Sequence, residues 1–381
     1  MKFRRRFLSA VLSIALVMIP LVAQTSAYAN SSNTLLQKAT ACAQELIADR
    51  TTEEYLEDDN WTWNSTTKIE SIVPMYDYDG NINSYLFRLN TDGIDQGYIV
   101  VNVTPEIFGV EAYGGSGTYE ADFIVKEQLG RPMNANDKII HHSMMDFVVE
   151  KNKTYYDLAS NSAIKMSKNE LNKSYKSNIQ LQKATTSIND IVPFGTWDGK
   201  YTVKGIPGWT PPYTTSYFGE PNNCGPTAGT NYIHYWSHAR SDVSTTVRNK
   251  LWSGQVYQDF KMYFDYLPVG GSSPYSLMSG LTVYGDSRNA SPIGSDVRYH
   301  GSIDWAFITN ALKSNIPLLL CTTLVPSDSQ YGYHIFMVVG YDRDGSKVDL
   351  QTVTGWDNRT DNYYHYNNAT TLQTAAYARW A

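Results

Sequence analysis

Forty residues in the middle of the chain divide it into two stretches of unlike character. Residues 151–190 hold seven lysines, three acids and many Ser and Asn, with few aromatics. A segment of that composition has little apolar surface to bury and reads as an exposed linker, the kind of place where proteolytic nicking concentrates. Part of it, Ser162 to Asn172, has helical spacing. From Ile191 onward the chain is rich in Gly, Pro, Tyr and Trp. The expected organisation is therefore a smaller unit over residues 30–155, a linker over 156–190 and a larger unit over 191–381. A chain of 381 residues suits two such domains.

The first residues set the expected compartment. Lys2, Arg4, Arg5 and Arg6 form a positive start, Phe7 to Val22 is apolar, and Ala27-Tyr28-Ala29 offers the small residues read by a signal peptidase. Residues 1–29 are predicted to be a signal peptide, leaving a secreted, extracellular product with no membrane attachment. Their removal takes away four positive charges and no negative ones, moving the net charge from −6 to −10. An acidic protein is a poor match for nucleic acid, whose binding depends on neutralising phosphates.

Residues 33–49 read as an amphipathic helix. Strand patterns follow at Lys68 to Met75, Ser84 to Asn90 and Gly97 to Val103, the first two joined by a turn at Asp77-Tyr78-Asp79-Gly80-Asn81. The turn looks like half of a calcium loop, but Arg88 stands at the twelfth position, where a bidentate acid is needed. The first unit should thus be a small α+β domain.

Three cysteines are too few, and odd in number, for a disulfide framework: Cys42, Cys224 and Cys321. Cys42 lies in the first helix and Cys321 ends the apolar run from Pro317, so both read as core. Cys224 lies in Pro221-Asn222-Asn223-Cys224-Gly225-Pro226-Thr227-Ala228. Asn is a good N-cap, Pro fits a first turn, and Ala228, Tyr232 and Tyr235 recur at helical spacing. This places Cys224 at a helix N-terminus, where the macrodipole and unpaired N–H groups favour a thiolate, and where a backbone N–H can serve an oxyanion.

A cysteine nucleophile needs a base, itself oriented by a third group. His334 opens the apolar strand His334 to Tyr341. Asp342 to Ser346 reads as a turn, Val348 to Val353 as a second strand, and Gly355-Trp356-Asp357 follows. Pairing the two strands about the turn sets His334 opposite about Thr354, with Asp357 a short step beyond. His234 and His238 stand four apart on the Cys224 helix, but no third ligand or HExxH pattern accompanies them, so no metal and no cofactor is expected. His141 and His142 belong to the first unit; His300 and His365 have no acid partner apparent in sequence. No G-x-S-x-G elbow or phosphate-binding Gly-Lys loop is present.

Asn223-Cys224-Gly225-Pro226-Thr227-Ala228, then Gly332-Tyr333-His334 running into Val338-Val339-Gly340-Tyr341-Asp342, then Gly355-Trp356-Asp357, together resemble the C39-like branch of the papain-like cysteine peptidases over roughly residues 195–360. The order Cys, His, Asp agrees, with 110 residues from Cys224 to His334. Pro74 to Val103 is more loosely similar to streptopain-like propeptides. The resemblance implies an α+β catalytic domain in which a nucleophile helix packs on an antiparallel sheet. It implies hydrolysis of peptide bonds through Cys224, His334 and Asp357, with Asn358 as the alternative orienting group, and a thioester acyl-enzyme, and a first unit acting as an intramolecular inhibitor of a zymogen. It also implies a peptide or protein substrate. The sequence departs from the family at one place. The glutamine usual about six residues before the nucleophile is absent from Tyr217-Phe218-Gly219-Glu220, leaving Asn222, Asn223 or a tyrosine hydroxyl as the second oxyanion donor. Two other functions fit the same residues: an amidase of cell-wall peptides with the same triad, and a catalytically silent binding protein of the same fold.

Overall fold

The computed structural model describes residues 34–51, 61–105, 107–143, 145–158, 163–176, 199–268, 271–299, 302–322, 334–344, 347–366 and 372–381. The segment expected to be a signal peptide lies outside them, as does His300. No helix among the described residues is long and apolar enough to cross a membrane.

The N-terminal unit is built on two-residue alternation. Helix α1 (34–50) is followed by four antiparallel strands, β1 (Lys68–Tyr76), β2 (Ile82–Thr91), β3 (Ile94–Val103) and β4 (Phe108–Gly114). Tyr85, Phe87 and Leu89 of β2 and Ile99, Val101 and Val103 of β3 face one way. They form a core with Ala39 and Ala43 of α1. Leu86, Tyr98 and Val100 face the other way and meet Ala121, Ile124 and Val125 of α2 (Glu120–Leu129). Successive side chains on a strand point to opposite faces, so one sheet buries both helices. The expected turn after β1 forms, with Asp77 Oδ1 accepting from the backbone N–H of Asp79 and of Asn81, each at 2.8 Å.

Three short strands follow, β5 (Ile140–Ser143), β6 (Asp146–Lys151) and β7 (Thr154–Asp157), and then helix α3 (168–176). Here the structure differs from the expected linker. Ile164, Leu171 and Tyr175 pack with Tyr78, Ile140, Val148 and Tyr155 in a core of their own. The first unit therefore continues to residue 176. Lysines dominate the composition of this segment, yet Ile164 before the helix and Leu171 and Tyr175 on it suffice to anchor about two and a half turns while the lysines stay in solvent. Residues 177–190, the rest of the expected linker, lie outside the described residues.

The C-terminal unit opens with β8 (Tyr201–Thr202), α4 (Thr215–Phe218), α5 (Cys224–His234), α6 (Thr245–Leu251), α7 (Val256–Tyr263) and α8 (Leu277–Ser287). It continues with β9 (Gly294–Tyr299), α9 (Trp305–Lys313), β10 (Leu318–Thr322), β11 (His334–Asp344), β12 (Lys347–Val353), β13 (Asn362–His365) and β14 (Leu372–Arg379). Strands β13-β12-β11-β10-β14-β9 run antiparallel in that order. Cys321, in β10, is fully buried opposite Ile335, as expected of a core cysteine, and Cys42 packs at the edge of the α1 core. No disulfide joins the three cysteines.

The two units share a single sheet. Strand β4 pairs antiparallel with β13, setting Tyr113 opposite Tyr363 and Gly114 opposite Asn362, and the two tyrosine rings stack at 5.0 Å. The hydrogen-bond ladder thus runs from β7 of the first unit to β9 of the second. Both edges that meet would otherwise expose unpaired backbone N–H and C=O groups. Charged and polar contacts flank the seam. Arg50 of α1 reaches Asp342 of β11 at 3.0 Å, and the Tyr113 hydroxyl stands 3.3 Å from Asp342 and 3.2 Å from Asp349.

Candidate active site

Cys224 is the first residue of α5, and the helix packs directly on β11. Gly225 makes this close approach possible: a Cβ there would collide with Ser272 and come within 3.1 Å of Ile335 Cδ1. The packing brings the backbone N–H of Ile335, the residue after His334, onto the Cys224 sulfur, along with the N–H of Gly225. Burial dominates nevertheless. The thiol is pushed up to about 11, against the lowering effect of those two N–H groups, and the carboxylate of Asp157 raises it further. Asp157 ends β7, so a residue of the N-terminal unit lies within electrostatic reach of the thiol.

His334 is buried, stacked on Trp356 at 4.9 Å and on Phe336 at 5.8 Å. Its Nε2 lies 2.8 Å from the carbonyl oxygen of Thr354. A carbonyl only accepts, so Nε2 carries the hydrogen and Nδ1 of the neutral ring is the basic nitrogen. Burial lowers the imidazole to about 4, with the Thr354 carbonyl opposing. Thiol and imidazole are therefore both uncharged in this state.

The expected third group is not at the ring. Asp357 gives its carboxylate to Arg359, with 2.6 Å from Oδ2 to Nε and to Nη2, and it also accepts from the Arg359 backbone N–H at 3.2 Å. Asn358 donates to the Pro211 carbonyl at 2.7 Å. The reason lies in the hairpin. Strands β11 and β12 extend through Asp344 and from Lys347, leaving only two residues between them where the sequence suggested a five-residue turn. The pairing becomes Met337 with Val353 and Val338 with Thr352. This register carries Trp356, rather than Thr354, across from His334. Gly355 then turns the chain at φ 78°, sending Asp357 off toward Arg359. A backbone carbonyl takes the orienting position, a group that residue identity cannot disclose.

Both asparagines expected at the oxyanion site direct one amide hydrogen to a backbone carbonyl. Asn222, at φ 55°, donates its side-chain amide to Pro268 O at 2.9 Å. Asn223 stands at the N-cap but makes no capping bond; its amide donates to Thr215 O at 2.9 Å. Tyr266 donates its hydroxyl to Pro221 O at 2.5 Å. Tyr257, buried on α7, has a hydroxyl with no hydrogen-bond partner among the described residues.

The remaining histidines are held in other ways. His234 accepts from Trp209 Nε1 at 3.0 Å and stacks on His238 at 4.0 Å, where a wide helical turn over Tyr235–Ala239 continues α5. Among the described residues no three potential ligands gather around a cation position. His141 and His142 bond to Ser84 and Tyr78 in the first unit. His365, expected to have no acid partner, is 3.1 Å from Asp349 across the β12–β13 pair.

Residues 208–381 match the Peptidase_C39 like family. The match covers Cys224, His334 and Asp357 together. It supports a C39-like, papain-type cysteine peptidase for this part of the chain, and the structure gives that part a mixed α/β fold on a large sheet. The first unit lies outside the matched residues. No curated protein matches the chain.

Proposed function

We propose that this protein is a secreted cysteine peptidase made as a zymogen, with Cys224 as nucleophile and His334 as general base. The observation that carries the reading is the meeting of α5 and β11: the thiol at the helix N-terminus receives the N–H of the residue that follows the histidine. In this reading His334 Nδ1 takes the thiol proton as sulfur attacks the scissile carbonyl carbon. The tetrahedral oxyanion accepts from the Cys224 N–H. Collapse expels the amine, which receives the proton from the imidazolium and leaves a thioester for water to hydrolyse by the same relay. Thr354 O holds the ring in the tautomer that this requires.

Latency follows from the same electrostatics. A working pair needs thiolate and imidazolium, whereas the thiol at about 11 and the imidazole at about 4 favour the uncharged forms by a wide margin. The N-terminal unit contributes to this through Asp157. Cys224→Ala should abolish both peptide hydrolysis and labelling by a thiol-directed epoxide, with the fold intact. Persistent hydrolysis in that variant would remove the reading. Labelling at Cys224 together with turnover, by the unlabelled protein, of cell-wall peptide crosslinks but no protein substrate would favour the amidase function instead.

A further inference from the structure

The oxyanion site has one evident donor, the Cys224 backbone N–H, and the family's glutamine is missing from the sequence before it. The surrounding donors can be taken in turn. The Asn222 amide is turned toward Pro268 O and the Asn223 amide toward Thr215 O, each using one of its two hydrogens, and the Tyr266 hydroxyl gives its single hydrogen to Pro221 O. Tyr257 differs from all three. It is 6% exposed, and its hydroxyl oxygen is shut off from solvent with no hydrogen-bond partner among the described residues. The Asn223 side chain lies close enough to influence that hydroxyl, but the two form no bond of normal hydrogen-bond geometry. An unmade bond at a buried hydroxyl costs about 1–3 kcal/mol and calls for an explanation.

Packing holds Tyr257 at the nucleophile's end of α5. Its ring stacks on Phe218 of α4 at 3.5 Å, and α4 lies just ahead of Cys224 in the chain. One turn further along α7, Phe260 closes on Gly229, where a Cβ would come within 2.8 Å of the ring; α7 therefore runs alongside α5 with its start near the start of α5. Charge on Cys224 is felt at the Tyr257 phenol. Burial raises that phenol, so it stays protonated and remains a donor throughout the working range of pH.

We propose that the Tyr257 hydroxyl is the second oxyanion donor of the Cys224 site, acting together with the Cys224 backbone N–H. The inference rests on the peptidase reading. The phenol proton stays on Tyr257 throughout; what changes is that a hydroxyl with no partner among the described residues gains one when the carbonyl oxygen becomes an anion. A donor that pairs only then stabilises the transition state and not the ground state.

The test compares Tyr257→Phe and Ser272→Ala with wild type in the full chain, each before and after the same limited proteolysis. Ser272 is the control because its hydroxyl abuts Gly225 and also has no partner among the described residues. Three quantities are read: kcat on a small peptide, the inhibition constant of a peptide aldehyde, and the rate of Cys224 alkylation by iodoacetamide. Hydrolysis and aldehyde capture both create an oxyanion, and alkylation does not. Tyr257→Phe should lower kcat by about 10²-fold to 10³-fold, the usual loss for one donor. It should weaken the aldehyde in parallel and leave the alkylation rate and thermal midpoint as in wild type, while Ser272→Ala changes none of these. Three results would overturn the inference: kcat within about tenfold of wild type, too small for a lost donor; alkylation slowing in step with hydrolysis; or the loss following Ser272 instead. Failure of the peptidase reading looks different, since wild type itself would then neither hydrolyse peptide nor alkylate at Cys224.

Discussion

Two places in this protein bury titratable groups with the help of the N-terminal unit, and burial acts on them differently. At Cys224 and His334 withdrawal from water is the largest influence on each group. Burial pushes the thiol up to about 11 and the imidazole down to about 4, so both stay neutral. At the seam between the units, Glu120 of α2 lies among Tyr98, Tyr364, Asp357 and Arg359. Burial raises Glu120 to about 7 and Asp361 to about 6, while the Arg359 guanidinium holds both down and itself stays charged against Asp357 and Asp361. The lesson is that a permanent cation keeps carboxylates within reach of ionisation, and a pair with no permanent charge falls silent when water is withdrawn.

The sharpest way to break this comparison is to return water to the site. Cutting the chain between 177 and 190 and removing the N-terminal unit takes Asp157 away from the thiol and lifts part of the desolvation. The rate on a small unstructured peptide should rise by at least about 10²-fold, since even two pKa units recovered across the pair correspond to that factor. Added N-terminal fragment should reverse it. Equal rates in the cut and intact forms would mean that the first unit recruits substrate and does not restrain the enzyme.

A second experiment sharpens the seam. Glu120 has a folded-state value near 7 against an ordinary 4.5. Below about pH 4.5 the carboxyl is protonated folded or unfolded and costs nothing. As pH rises from 4.5 to 7 the unfolded chain ionises first, and stability is lost until the loss is complete above 7. Glu120→Gln should leave stability unchanged at pH 4.5 and raise it at pH 8, by up to about 3 kcal/mol. Urea unfolding at the two pH values reads this directly. A variant destabilised equally at both would show that Glu120 works through packing alone.

The smallest expected effect separates the seam from the site. Asp357→Asn should cost about 2 kcal/mol of stability by weakening the partner of a mostly buried arginine. It should change kcat little, because Thr354 O orients the ring. A loss of several powers of ten in kcat with stability preserved would instead restore Asp357 to the ring in the working state.

Sequence periodicity made much of this molecule legible. The alternation in Ser84 to Asn90 and Gly97 to Val103 corresponds to β2 and β3, and Ala228, Tyr232 and Tyr235 are buried positions of α5 and of the wide turn that continues it. Cys224 at a helix start and His334 at a strand start could be read because caps, prolines and apolar runs are local signals. The segment 151–176 was harder, since its composition is that of solvent-exposed chain and only Ile164, Leu171 and Tyr175 tie it down.

Three features were decided by tertiary structure alone, each for the same physical reason. The ring's hydrogen bond to Thr354 O depends on a hairpin register that two residues more or fewer in the turn would shift, and every peptide unit carries a carbonyl, so no residue type marks the one that is used. Tyr257 is singled out from 29 tyrosines by its place near Cys224, together with a hydroxyl that has no partner among the described residues. The joining of β4 to β13 turns two expected domains into one sheet, through backbone groups that any pair of strand edges would offer. What the sequence by itself determined is where helices and strands begin and which face each buries. Which of their common backbone and hydroxyl groups meet is fixed only when the elements pack.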